Sequence, residues 1–138
     1  MPKFSRSSKR NLSTCHPDLI VLFNEVIKYF DCKVICGRRG KTAQNNAFIK
    51  GHSKVKYPNS KHNPDPSMAA DVIPYPIEWE NIKRMKFFAG FVLGTAQQLL
   101  NERMISHKVV SGLDWDADTE LKDTTFVDHP HFQLKKIK

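Results

Sequence analysis

His62 and Asp71 stand at the two ends of one polar stretch, and His131 follows Asp128 by three positions near the far end of the chain. Imidazole and carboxylate are the ligands of hydrolytic zinc sites, where three protein donors leave a fourth tetrahedral position open for water. His62, Asp71 and His131 make such a set of three. Asp128, left over beside the third, is placed to take a proton from that water. One histidine alone is ordinarily a surface or satisfied core residue. The ordered combination, with an apolar segment following each end, is what points to metal-assisted hydrolysis. His16, His52 and His107 fall outside the set and are read as non-ligands. His129, between base and ligand, is a candidate substrate contact.

The residues Ser60, His62, Ala69 and Asp71, followed much later by Asp128-His129-Pro130-His131-Phe132, resemble the motifs of the zinc D-Ala-D-Ala carboxypeptidases and L-alanyl-D-glutamate peptidases. Within those peptidoglycan-cutting enzymes the resemblance is to the phage endolysins. Gly112-Leu113-Asp114-Trp115 resembles the family's G-x-D-W segment, and the likeness runs from about Gly37 to Leu134. It implies one zinc on His62, Asp71 and His131, with Asp128 as general base. It also implies an Arg after the first strand that holds the substrate carbonyl or carboxylate. Arg39, in Gly37-Arg38-Arg39-Gly40, matches that position, and a guanidinium suits it because it stays charged and offers paired planar donors. Gln44 and Ser60 also fall at family positions and are candidate substrate contacts. The implied substrate is the peptidoglycan stem peptide and the implied bond L-Ala-D-Glu, with D-Ala-D-Ala carboxypeptidase activity the alternative. Two departures stand out. Eight residues separate His62 from Asp71, two more than in the family, and Ser67 replaces a glycine. The extra residues are expected to bulge outward at Asn63-Pro64-Asp65-Pro66 without moving either ligand.

Asp114, Asp116 and Asp118 alternate like the opening of a calcium loop. Thr119 stands where that loop needs glycine and Thr125 where it needs a bidentate glutamate, so a solvated acidic loop is the plainer reading. Calcium at 114–123 is kept as a second expectation, because the loop leads into Asp128 and His131.

The composition fits these readings without choosing among them. At 138 residues, 40% apolar and 26% charged, the chain is an ordinary globule. It lacks an apolar run long enough to span a membrane. Its basic start lacks the apolar segment of a signal peptide, so synthesis in a cytoplasm is expected, with another factor giving access to the wall. Cys15, Cys32 and Cys36 are an odd number and are read as free thiols, not as a disulfide framework. A formal charge of +8 suits anionic wall polymer or lipid headgroups. It would also suit nucleic acid, but no nucleic-acid motif accompanies it. Two further alternatives are a basic nucleic-acid module and a degenerate wall-binding module, though all four site positions are filled. A monomer is expected.

Residues 1–12 read as a mobile basic arm ahead of a domain at 13–138. Leu19, Leu22, Phe23, Val26 and Phe30 recur at helical spacing, after Ser13 or Thr14 as cap and Pro17 in the first turn. Short strands are expected at 33–36, 70–73, 105–110 and 132–134, and helices at 41–50 and 78–104. Gly90 and Gly94 in the long helix suggest close helix packing. This order implies an α+β fold, with helices on a small, mainly antiparallel sheet.

Overall fold

Alternation along two strands divides the molecule into a buried side and a working side. In the computed structural model, which describes residues 2–121 and 127–137, the elements are α1 (Arg6–Ser13), α2 (Pro17–Val26), β1 (Cys32–Cys36), α3 (Lys41–Ile49), β2 (Ala69–Pro74), α4 (Ile82–Asn101), β3 (His107–Ser111) and β4 (His131–Lys136). The strands form one antiparallel sheet in the order β1-β2-β4-β3, which is the expected α+β class. Side chains on a strand alternate between faces. Ala70 and Val72 of β2, with Phe132 and Leu134 of β4, join the apolar cluster beneath α2 and α4. Asp71 and His131 therefore point to the other face.

The core is aromatic where the helices cross the sheet. Phe23 of α2 and Phe88 of α4 both lie edge-on to Phe132, at centroid distances of 5.7 and 6.2 Å. All three rings are at most 1% exposed. Such contacts add to the area term and fix ring orientation, so β4 is held firmly beneath the site.

The expectation of a mobile arm is corrected here. Residues 6–13 form α1, capped by Ser5, and the cause is hydrogen bonding that sequence periodicity does not record. β1 is an edge strand. The Ser8 hydroxyl accepts from the Val34 N–H at 3.1 Å, and the Asn11 amide donates to the Val34 carbonyl at 2.9 Å. α1 thus covers edge groups that would otherwise be unpaired. Leu12 anchors it in the core.

Three smaller expectations also change. The cap of α2 is His16, whose Nδ1 accepts from the Asp18 N–H, and Thr14 instead ends α1. The long helix begins only at Ile82, where Asn81 accepts from the Arg84 N–H. Gly90 and Gly94 are not packing contacts: a Cβ built at either meets no atom within 4 Å.

Candidate active site

The register of the sheet sets two of the site's groups side by side. Asp71 is the cross-strand partner of His131, so the carboxylate and the imidazole rise from adjacent strands on one face. The third group, His62, comes from the loop before β2 and is 2% exposed. Its backbone N–H donates to the Ser60 hydroxyl at 3.1 Å, and its carbonyl accepts from the Arg39 N–H at 2.7 Å. His62 Nδ1 lies 2.8 Å from the Gly37 carbonyl. A carbonyl only accepts, so Nδ1 carries the proton and turns Nε2 toward the sheet.

His62 Nε2 is 3.2 Å from Asp71 Oδ1, and His131 Nδ1 is 3.3 Å from the same oxygen. Ligands about 2.0–2.1 Å from a tetrahedral zinc stand about 3.3 Å from one another. Both nitrogens already have that spacing from the carboxylate, although the groups close enough together to hold an ion among the described residues join Asp71 to His62 with Cys36, or to His131 with Asp128, and not to both histidines at once. Asp128 Oδ2 lies further out, 3.8 Å from His131 Nδ1. Cys36, His62 and Asp71 also cluster closely enough to suggest a metal set. However, Cys36 Sγ approaches His62 from the Nδ1 side, at 3.9 Å. That nitrogen's proton is taken by the Gly37 carbonyl, and Cys36 Sγ also accepts from Arg39 Nη2 at 3.7 Å.

These groups perturb one another strongly. Burial alone would lower the affinity of His62 for its proton, but hydrogen bonds to Asp71 and Cys36 outweigh it and lift the pKa to about 10. Burial alone would raise the Asp71 carboxyl, yet His131 and His62 hold it well below the usual carboxylate range. Asp128 moves the other way: burial and the nearby Asp71 charge raise it against His131, His62 and Arg39. Two carboxylates with opposed tendencies suit different tasks, one permanently ionised and one able to carry a proton.

All four groups, with Arg39, line an open cavity of about 1140 Å³. Among the remaining expected contacts, Ser60 and His129 stand on its wall. Gln44 does not. It is fully buried, and its amide is spent on protein groups, so the expected substrate contact is corrected. Gln44 Oε1 accepts from Arg39 Nη1 at 3.0 Å and from Asn63 Nδ2 at 3.2 Å, while its Nε2 donates to Ser53 Oγ and the Val55 carbonyl. Gln44 therefore holds the guanidinium in place. Arg39 Nη2 in turn lies 3.6 Å from Asp71 Oδ2.

The family model described as phage L-alanyl-D-glutamate peptidase matches residues 1–135. The chain belongs to that family. It is a peptidoglycan-cutting phage enzyme of the endolysin kind. Among solved structures, the Serratia marcescens L-Ala D-Glu endopeptidase ChiX is similar at 24% identity and a TM-score of 0.68, over 97% of this chain and 91% of that one. At that identity the likeness concerns the fold. No curated protein matches the chain.

The peptidase carries two further clusters away from the cavity. Asp114, Asp116 and Asp118 bring carboxylate oxygens within 4.8 Å of one another. Asp114 is 7% exposed, and its two oxygens already accept from the Asp118 and Thr119 N–H groups at 3.2 and 2.8 Å. Asp116 is raised by its hydrogen bond to Asp114 and by slight desolvation. Thr125 and positions 122–123, where the calcium reading places its last ligand, lie outside the described residues. His16, Asp18 and His107 form the other cluster. Asp18 Oδ2 receives the Ser106 and His107 N–H groups and His107 Nδ1, the last at 2.7 Å. His16 spends its Nδ1 lone pair on the Asp18 N–H. A neutral imidazole has no other, so this set ties α2 to the start of β3.

Sequence reasoning missed Gln44's true role, the Gly37 carbonyl and Gln133. Gln133 was findable: it lies two residues after His131 on a strand, and hence on the same face.

Proposed function

We propose that the enzyme hydrolyses the L-Ala-D-Glu bond of the stem peptide with the help of one zinc ion held by His62 Nε2, Asp71 and His131 Nδ1. The observation carrying this reading is the convergence of both imidazole nitrogens on Asp71 Oδ1 at 3.2 and 3.3 Å. Zinc, when bound by these donors, supplies acidified water and a polarised scissile carbonyl. Asp128, raised by burial, accepts the proton of the attacking water as its oxygen bonds to the carbonyl carbon. Asp128 then delivers that proton to the leaving amine as the C–N bond breaks. Arg39, kept in place by Gln44, donates N–H groups to the oxygen that gains charge. Ser60 and His129 line the cavity where the stem peptide would lie.

No helix among the described residues is long and apolar enough to cross a membrane. We assign delivery to the wall to another factor, and the working form to a single-domain monomer. Calcium at Asp114, Asp116 and Asp118 is a second, weaker cation reading. Calorimetry at millimolar calcium showing no heat, with unchanged turnover, would leave those residues as a solvated loop.

The main test is mass analysis of purified peptidoglycan fragments after digestion, with elemental analysis of the enzyme. New L-Ala and D-Glu termini, one zinc per chain and loss of activity in a strong chelator are expected. Full activity in chelator on a zinc-free protein would end the metal reading.

A further inference from the structure

The two imidazoles that face Asp71 do so through different nitrogens, and each must keep a lone pair there to hold a metal. His62 has a built answer: the Gly37 carbonyl accepts its Nδ1 proton at 2.8 Å. His131 presents the opposite atom, Nδ1, toward Asp71. Its proton must then sit on Nε2. The partner of Nε2 is Gln133 Oε1, at 2.8 Å.

We infer that Gln133 is a positioning residue for the metal centre: its amide oxygen holds the Nε2–H of His131 and so keeps Nδ1 free to ligate. Three observations support this. Gln133 sits in the middle of β4, its neighbours in the ladder being Ala69 on one side and Val110 on the other, so its Cα is fixed by two strands. Gln133 follows His131 by two residues on the same strand face, which brings the amide alongside the ring. Trp115 packs against the His131 ring in a tilted contact, at a centroid distance of 5.0 Å and 43° between planes. Trp115 restrains tilting of the ring, and Gln133 restrains its flipping.

A neutral amide also suits the charge of the site. Asp71 and Asp128 already face His62, His131 and Arg39, and glutamine adds an acceptor without a third carboxylate. Outer partners of metal-binding histidines of this kind typically change metal affinity 10–100-fold when removed.

The inference rests on the zinc reading above, and its test separates the two. The zinc dissociation constant would be measured by competition with a chelating dye for the wild type and for Gln133→Leu, Gln133→Met and Gln133→Glu. The leucine and methionine variants should bind zinc about 10–100-fold more weakly. Methionine preserves length should leucine fail to fold. Gln133→Glu, which keeps the acceptor, should match or exceed the wild-type affinity. Nitrogen-15 spectra of the zinc-loaded wild type should show a slowly exchanging His131 Nε2–H that is lost in Gln133→Met. Wild-type affinity in both the leucine and methionine variants, or weakened binding in Gln133→Glu equal to theirs, would overturn the role of Gln133 and leave the zinc reading intact. A wild type that takes up no zinc would overturn both.

Discussion

Gly112→Ala should disable hydrolysis while leaving zinc in place. Gly112 follows β3 and clasps the turn that carries Asp128, the proposed general base. Its N–H donates to the His131 carbonyl at 2.8 Å, and its carbonyl accepts from the Asp128 N–H at 3.0 Å. A Cβ built on Gly112 overlaps the Asp128 carbonyl oxygen, and stands 2.9 Å from Asp128 Cβ and 3.0 Å from its carbonyl carbon. Non-bonded carbons prefer about 3.5–4.0 Å, so the Asp128 backbone must retreat by about 0.5–1 Å. Gly112 is not among the residues with left-handed φ, and the constraint is therefore the close approach alone. A displacement of about 1 Å at a reacting group can cost about 10²-fold in rate, which is about 2.7 kcal/mol of barrier. Crowding of this kind also destabilises by about 1–3 kcal/mol. His131 is paired on both sides, with Asp71 in the ladder and Gly112 beyond β3, so the metal donors move less than Asp128 does. The assay is turnover on purified peptidoglycan beside zinc stoichiometry and a urea unfolding curve. Turnover within threefold of wild type in a folded variant would refute the steric argument. Loss of zinc in parallel with turnover would show that Gly112 supports the ligand rather than the base.

Four further outcomes follow from the geometry. Asp128→Asn should keep its zinc and lose about 10²-fold or more in turnover, whereas His131→Ala should lose metal and activity together; zinc analysis beside turnover distinguishes them. Arg39→Lys should retain zinc and lose about 10²-fold in turnover, because one ammonium cannot satisfy Gln44 and also offer paired donors to substrate. Although burial alone would raise Asp18, its bonds to His107 and Ser106 lower its pKa. Its contribution to stability is therefore complete above the unfolded value of about 3.9 and is lost as pH falls through the folded one. Urea titrations of wild type and Asp18→Asn should differ most near neutrality and converge in acid. Gly90→Ala with Gly94→Ala should raise stability by about 0.5–1 kcal/mol per site, since neither Cβ meets an atom within 4 Å; a lower melting temperature would contradict it.

Elements whose reason for forming lies in their own periodicity were legible in the sequence. α2 and the body of α4 repeat apolar residues at helical spacing, and His131-Phe132-Gln133-Leu134 of β4 alternates polar and apolar residues. The Asp71–His131 pairing was not derivable from either strand alone, because register depends on both. α1 was misread because it has one buried apolar anchor, Leu12, and its order comes from Val34, more than twenty positions away. Gln44 was misread for a related reason. The residues that bury its amide, Ser53, Val55 and Asn63, belong to a loop whose path no local pattern specifies. Polar residues buried by distant backbone are where reading one segment at a time fails.

The lengthened stretch between His62 and Asp71 shows what the spacing of two proposed ligands constrains. The Met68 N–H donates to the Lys61 carbonyl at 2.9 Å, closing the loop at its neck. Ser67 is fastened outside the loop: its N–H donates to the Thr14 carbonyl, and its carbonyl accepts from the His16 N–H. Its hydroxyl donates to the Ala69 carbonyl at 2.6 Å, so a serine serves where the family has glycine. Asn63 locks the other end through Ser60 N, the Arg39 carbonyl and Gln44 Oε1. Between these anchors Pro64, Asp65 and Pro66 are exposed. Added residues there extend into solvent while His62 Nε2 and Asp71 Oδ1 remain 3.2 Å apart. The count of residues between the two proposed ligands is therefore a weaker constraint than the hydrogen bonds at the neck of the loop, and a departure in count alone does not argue against the proposed site.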